Sequence, residues 1–126
     1  MEGLTMNYQF PFEKLRVWQI SHEFVKEIYS ITKLFPREEK YSLTDQLRRA
    51  SISIASNLAE GSARSSLKDQ AHFTNMAYGS LMEVLNQLYI AFDLQFISED
   101  VFLILKEKVC EISISLNSLK KSQLGS

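Results

Sequence analysis

From Phe12 onward, Val17, Ile20, Phe24, Ile28, Ile31 and Phe35 recur at spacings of three and four. At about 100° per residue those positions share one face of a helix. A second series, Leu15, Trp18, His22, Val25, Tyr29 and Thr32, follows the same spacing about a third of a turn away, so this helix should have two neighbours. Pro36 pushes the residue before it out of the α region and should stop the helix near Leu34 or Phe35. The pattern therefore predicts a helix over 12–35.

Ser42 with Asp45 three residues on resembles a capping box and opens a second helix over 43–61, with Gly61 expected to supply a positive φ just past its end. Ser66 with Asp69 repeats the start signal. The segment 67–95 then carries Phe73, Ala77, Leu81, Val84, Leu88, Ala91 and Phe92 on one face. Ser98, followed by Glu99 and Asp100 where the helix dipole favours anions, opens a fourth helix over 99–121 with Val101, Leu105, Val109, Ile112, Leu116 and Leu119 inward. Four helices joined by short connections predict an all-α chain, an up-down-up-down antiparallel four-helix bundle forming a single domain over 1–126. No internal repeat competes with that reading.

One stretch resists it at first sight. In QLRRASISIASNLAEG, Gln46 to Gly61, Ser and Ile alternate like a strand, which would place Ile52 and Ile54 on one face. The capping signal before it and the glycine after it frame a helix instead. On that helix Leu47, Ala50, Ile54 and Leu58 form a core stripe, and Arg48, Ile52, Ala55 and Ala59 form a second apolar line roughly opposite. Between the lines run Gln46, Arg49, Ser53, Asn57, Glu60 and Arg64, a polar seam on a largely enclosed helix. An unsatisfied buried polar group costs about 1–3 kcal/mol. Arg49, Asn57 or Glu60 should therefore bond to Asp69, His72, Ser80, Glu83 or Gln87 of the third helix, within one subunit or across an interface.

The chain has 126 residues, 45% of them hydrophobic, enough for one core without metal or disulfide support. Two prolines and four glycines are too few for a turn-dense β-sandwich. The single cysteine, Cys110, has no intrachain partner and reads as a small apolar filler. No stretch approaches the roughly 18 apolar residues of a membrane span, and the start, MEGLTMNYQF, lacks the basic and apolar regions of a signal peptide. A cytoplasmic protein is expected. Met1 to Thr5, with Gly125 and Ser126, read as frayed or vector-derived tails.

Net charge is −1, so no global basic field announces nucleic acid. Between Lys33 and Lys68, however, seven basic residues stand against four acids. Arg49, Glu60, His72 and Glu83 could also be read as an acid–base cluster or metal site. No HExxH, Glu-x-x-His pair, phosphate loop or nucleophile elbow accompanies them, so neither a catalytic residue, a metal nor a cofactor is assigned. Ser51, Ser53 and Ser56 read as small residues permitting close helix approach. The apolar surface exceeds what a monomeric bundle needs to hide, because the second stripe of the first helix is joined by an outer line, Leu103, Cys110 and Ile114, on the fourth. Trp18, Val25, Tyr29, Ile52, Leu103 and Ile114 are the candidates for a homo-oligomer interface.

Three segments carry a family likeness: FEKLRVWQ, then FPREEKYSLTDQLRRASISIASNLAEGSAR, then AYGSLMEVLNQL. They resemble the four-helix-bundle proteins encoded in intervening sequences of bacterial 23S ribosomal RNA genes. The matched pattern is a proline and glutamate (Pro36, Glu39), a Q-L-R-R-A opening (Gln46 to Ala50), an N-x-A-E-G close (Asn57 to Gly61) and a G-S-x-x-E (Gly79 to Glu83).

The resemblance implies a helical protomer and a barrel-shaped homopentamer without enzymatic activity. It also points to a related branch, the accessory variability determinants of diversity-generating retroelements, which join a reverse transcriptase with RNA or DNA through a basic outer surface. This chain departs from that branch in net charge. The expected function is a non-enzymatic binding or scaffold module. The alternative is an accessory protein that binds RNA or DNA beside a nucleic-acid-handling partner, through Arg37, Lys40, Arg48, Arg64 and Lys68. Arg49, Asn57, Glu60, Ser80 and Glu83 fit better as structural seam residues. No membrane and no small-molecule substrate is implied.

Overall fold

A computed structural model describes residues 7–125. A 3-10 turn, Pro11–Lys14, precedes helix α1, Arg16–Thr32. A second 3-10 turn, Arg37–Glu39, leads into α2, Leu43–Ser62, which is followed by α3, Leu67–Asp93, and α4, Glu99–Leu124. The helices pack in the order α1–α2–α3–α4–α1, the up-down-up-down bundle that the periodicity predicts. Two serine caps form as expected: Ser66 Oγ accepts from Asp69 N at 3.1 Å, and Ser98 Oγ accepts from Val101 N at 3.2 Å. Both are legible because a cap is decided within four residues.

The other termini differ from the reading. Instead of one helix over 12–35, the chain turns at Pro11–Lys14, breaks at Leu15 (φ −74°, ψ 120°) and only then enters α1. Glu13 Oε2 accepts from Phe10 N at 2.7 Å and fixes the turn, while Phe12 meets the Trp18 ring edge-on at 5.0 Å. Phe12 thus folds back over α1 instead of continuing its axis. At the far end Thr32 Oγ1 donates back to Ile28 O at 2.7 Å, and the next amides tighten into i to i−3 bonds that carry Phe35 into the core before Pro36.

Ser42 does not cap α2 with its own side chain. Its hydroxyl donates to Glu39 Oε1 at 2.9 Å, and the same carboxylate reaches Leu43 N at 3.4 Å, so Glu39 takes the capping role. α4 runs on to Leu124, where Gly125 at φ 73° closes it with a bond to Lys121 O. Gly125 is therefore a helix cap and not a tail. Met1 to Thr5 and Ser126 lie outside the described residues.

Gly61 also has a different role from the one read. It lies inside α2, buried, and a Cβ there would stand 2.7 Å from Phe73 Cβ of α3. The absent side chain is what lets α2 and α3 approach at this end, and α2–α3 is the most extensively packed pair. Around it Phe24, Ile28, Leu47, Ile54, Leu81, Leu88, Ile112 and Leu116 are fully buried, each contributing about 1.5–3 kcal/mol of transfer free energy.

The bundle's ends are unlike. Where α1 and α3 finish, Phe35 packs on Phe96 at 5.4 Å and Phe92 on Phe102 at 5.0 Å, an aromatic plug. Phe96 reaches it because Gln95 turns through a left-handed conformation, φ 64°, and Phe96 N bonds Ala91 O at 2.8 Å. The opposite end, where α2 passes into α3, is closed by smaller groups and keeps a cavity of about 270 Å³.

The α1–α4 seam is the most sparsely packed. Two ion pairs, Arg16–Glu111 and Lys108–Glu27, both at 3.7 Å, bridge an open cleft of about 480 Å³. Among the described residues no helix is long and apolar enough to cross a membrane.

Gly61→Ala gains about 1 kcal/mol of helix propensity but forces a carbon onto Phe73, an overpacking cost of about 1–3 kcal/mol. Gly79, also inside a helix, has nothing within 4 Å of a built Cβ. Urea denaturation should therefore show Gly61→Ala less stable than the parent and Gly79→Ala more stable by about 1 kcal/mol. Equal gains for both would contradict the close approach.

Candidate functional site

The five basic candidates are carried to two different ends of the bundle. Arg37 and Lys40 sit in the connector between α1 and α2, beside the aromatic plug. Lys40 Nζ stands 5.3 Å from the centroid of the exposed Tyr41 ring. Arg64 and Lys68 flank the α2–α3 connector at the other end, one length of α2 away, about 30 Å for its 20 residues. There the Arg64 guanidinium lies 4.5 Å over the Phe73 ring, and the Arg64 carbonyl accepts from Gln70 Nε2 at 2.9 Å. Lys68 is exposed in the first turn of α3. Arg48 belongs to neither group: its Nε donates to Thr32 Oγ1 at 2.9 Å and its guanidinium lies 4.4 Å over Tyr29, which ties α2 to the end of α1. Such a stacked, bonded guanidinium is a tie between helices.

The polar seam contracts to a short chain of three. Ser53 Oγ and Ser80 Oγ share a hydrogen bond of 2.8 Å between α2 and α3, and Asn57 Nδ2 donates to Ser53 O at 2.9 Å and to Ser53 Oγ at 3.0 Å. Among the described residues none of the bonds expected from Arg49, Asn57 or Glu60 to α3 is formed, Asn57 bonding only Ser53 of its own helix. Arg49 Nε instead pairs with Asp45 at 2.9 Å one turn back, and Gln46 and Glu60 are exposed. Glu83 accepts from Gln87 Nε2 at 3.2 Å within α3. The long side chains swing out to water, whereas the short hydroxyls stay in the interface and must bond each other. Arg49 and Glu60 are eleven positions apart, about 16 Å along the axis, so they do not converge with His72 and Glu83 on one centre. Among the described residues no three His, Cys, Asp or Glu side chains are grouped to hold a metal.

The apolar candidates fall on two faces. Trp18, stacked on His22 at 4.8 Å, lines with Val25 and Ile52 a shallow groove between α1 and α2. Tyr29 is taken up beneath Arg48. On the outside of α4, Leu103 is 52% and Ile114 71% exposed, and Ile104, which the sequence reading missed, is 56% exposed. Cys110 is exposed on the same helix and is not a core filler. Where α3 meets α4, Lys106 Nζ donates to Tyr89 Oη at 2.8 Å, and that bond holds the ammonium above its ordinary range.

This geometry defines an all-α protein of the antiparallel four-helix-bundle class. A family model, 23S rRNA-intervening sequence protein, matches residues 13–118, and the chain belongs to that family. A protein with unknown function from the S23 ribosomal protein family of Bacteroides thetaiotaomicron VPI-5482 has a similar fold. Its crystal structure superposes with a TM-score of 0.77 at 24% identity, covering 83% of this chain and 98% of that one. No curated protein matches the sequence.

Because Arg48 carries both a hydrogen bond and a ring contact between helices, Arg48→Ala should cost about 1–2 kcal/mol in chemical denaturation. Arg37→Ala and Lys40→Ala, both exposed, should stay within about 0.5 kcal/mol of the parent. Equal effects at all three positions would contradict a structural role for Arg48.

Proposed function

We propose that the protein is a non-enzymatic, self-associating helical module that presents a surface for binding or scaffolding. The observation carrying this reading is the apolar exterior of α4, where Leu103, Ile104 and Ile114 are each more than half exposed on a helix whose opposite face already fills the core. Exposed apolar surface of this kind marks an interaction face. The groove holding Trp18, Val25 and Ile52 supplies a second such face on the same protomer. Two different apolar faces per subunit suit a head-to-tail ring, because a heterologous interface closes only by repetition. The family likeness makes a pentamer the expected ring, inside the cytoplasm.

A second reading is favoured by Arg64, Phe73 and Lys68. An exposed guanidinium held flat on a ring, with an exposed lysine in the adjoining helix turn, suits single-stranded nucleic acid, the guanidinium plane stacking a base and both charges tracking phosphate. In this reading the assembled module holds RNA or DNA for a nucleic-acid-handling partner, and a ring repeats the Arg64–Lys68 corner around its rim. Repetition offsets the low charge of each subunit.

Light scattering on the purified protein should give a mass several times that of one chain. Ile114→Asp or Ile52→Asp, at positions 71% and 41% exposed, should release a folded monomer. A parent protein that is monomeric at micromolar concentration defeats the assembly reading. For the nucleic-acid reading, affinity for a short single-stranded RNA should fall with salt. Arg64→Glu with Lys68→Glu should flatten the log–log slope by about 1.4 per bound subunit, at about 0.7 per phosphate contact. A salt-independent signal rules that reading out.

A further inference from the structure

Between α3 and α4 lies a recess of about 260 Å³ lined by Thr74, Asn75, Tyr78, Leu116, Asn117 and Lys120. No Asp or Glu lines it, and acids are absent from the whole neighbourhood: none occurs in α3 from Gln70 to Met82 or in α4 from Ile112 to Leu124. These two acid-free halves run side by side, since Thr74 Oγ1 of α3 lies 2.8 Å from Gln123 Oε1 of α4. Lys120 is half-buried, Lys121 beside it is exposed, and neither forms an ion pair among the described residues, where the paired cations are Arg16, Lys26, Arg49 and Lys108. Of the lining side chains only Thr74 has a hydrogen bond to a described residue. The amides of Asn75 and Asn117 and the phenol of Tyr78 are unspent, and both amides belong to exposed residues that leave the recess open to solvent.

We infer that this recess is a binding site for a phosphoryl group, carried by a small phosphate ester or by a nucleic-acid backbone. An ammonium, two amides and a phenol can all donate hydrogen bonds, and no lining side chain brings a negative charge. That donor set suits an anion with several acceptor oxygens, on which lysine acts as a point charge. A half-buried ammonium without a counter-ion is costly, and a bound anion offsets that cost. The volume lies just below the usual range of ligand pockets, which suits one tetrahedral group with the rest of its ester outside. The nucleic-acid source rests on the nucleic-acid reading above; the small-ester source does not.

The test is a titration of the full chain with inorganic phosphate, and with acetate at matched ionic strength as a control, followed through the side-chain amide resonances of Asn75 and Asn117. Phosphate should shift them saturably, with a dissociation constant of about 1–10 mM, while acetate does not. Lys120→Gln removes the charge at similar length, and Asn117→Asp sets a carboxylate at an exposed wall position. Each should weaken phosphate binding at least about tenfold, with Asn75 as the reporter in the second and the thermal midpoint showing a folded protein. Arg37→Ala, at the other end of the bundle, should leave the shifts unchanged. If one recess variant fails to fold, the other carries the comparison.

Amides unmoved by phosphate up to about 50 mM, equal shifts with acetate, or shifts that survive both recess variants overturn the site. Ribose 5-phosphate and a short single-stranded RNA separate the two sources. Phosphate binding together with RNA affinity that Asn117→Asp weakens assigns the site to a nucleic-acid backbone. Binding of phosphate and ribose 5-phosphate without affinity for the RNA assigns it to a small ester and sinks only the nucleic-acid reading. RNA binding that both recess variants leave intact, with no phosphate shift, overturns the site while that reading stands.

Discussion

At the α2–α3 contact the distance between two backbones is set by a missing side chain. Gly61 lets Phe73 lie against the α2 backbone, and a few turns away the same two helices are drawn together by a hydroxyl pair, Ser53 and Ser80. Close approach excludes water, so whatever polar groups remain between the helices have to satisfy one another. That requirement accounts for short side chains at the interface, for the long ones, Arg49 and Glu60, turning outward, and for Asn57 being held by Ser53. The other helices are added to this pair: α4 along α3, α1 along α2, with Arg48 fastening α1 near its end.

The hollow and the basic corner sit where that central pair leaves room. At the aromatic end, rings from two helices and two connectors fill the space. At the other end the close approach of α2 and α3 brings small residues together, and small residues leave a hollow that Pro11, Leu58 and Leu119 enclose without filling. Arg64 and Lys68 belong to this same end, so the charged corner and the hollow share the α2–α3 connector through the bond from Gln70 to Arg64. The basic residues, one group along the chain, are divided because the 20 residues of α2 stand between Arg37 and Lys40 at one end and Arg64 and Lys68 at the other.

How much could be read from residues alone follows from how far each decision reaches. Ser66 and Ser98 cap as expected because their partners are three residues on. The inward stripes of α1 to α4 were legible because one buried face is all that a period reports. The break at Leu15 depends on Phe12 finding Trp18, the shift of capping from Ser42 to Glu39 on a turn preceding the helix, and the use of Gly61 on a phenylalanine from another helix. Helical spacing placed Ser53 and Asn57 on one polar line of α2, and the family motifs include Asn57 and Ser80. Neither could say that Arg49 and Glu60 would find water or a neighbour one turn back. The division of the basic residues between the two ends, and the hollow beside Asn57, needed the fold itself.

The α1–α4 seam, bridged by two long ion pairs between partly exposed groups, has a consequence in time. Such pairs are worth little, about 0–1 kcal/mol each, and less as salt is added. The contacts they make are also the most distant in sequence, joining the first helix to the last, so closing them costs the most loop entropy for the least cohesion. Loop entropy favours closing this edge after α2, α3 and α4 have found one another. In the folded molecule it is the least closely packed of the four helix–helix edges. Helix α1 itself stays fixed to α2 through Arg48 and the buried Phe24 and Ile28, so what added salt loosens is this one edge of the bundle.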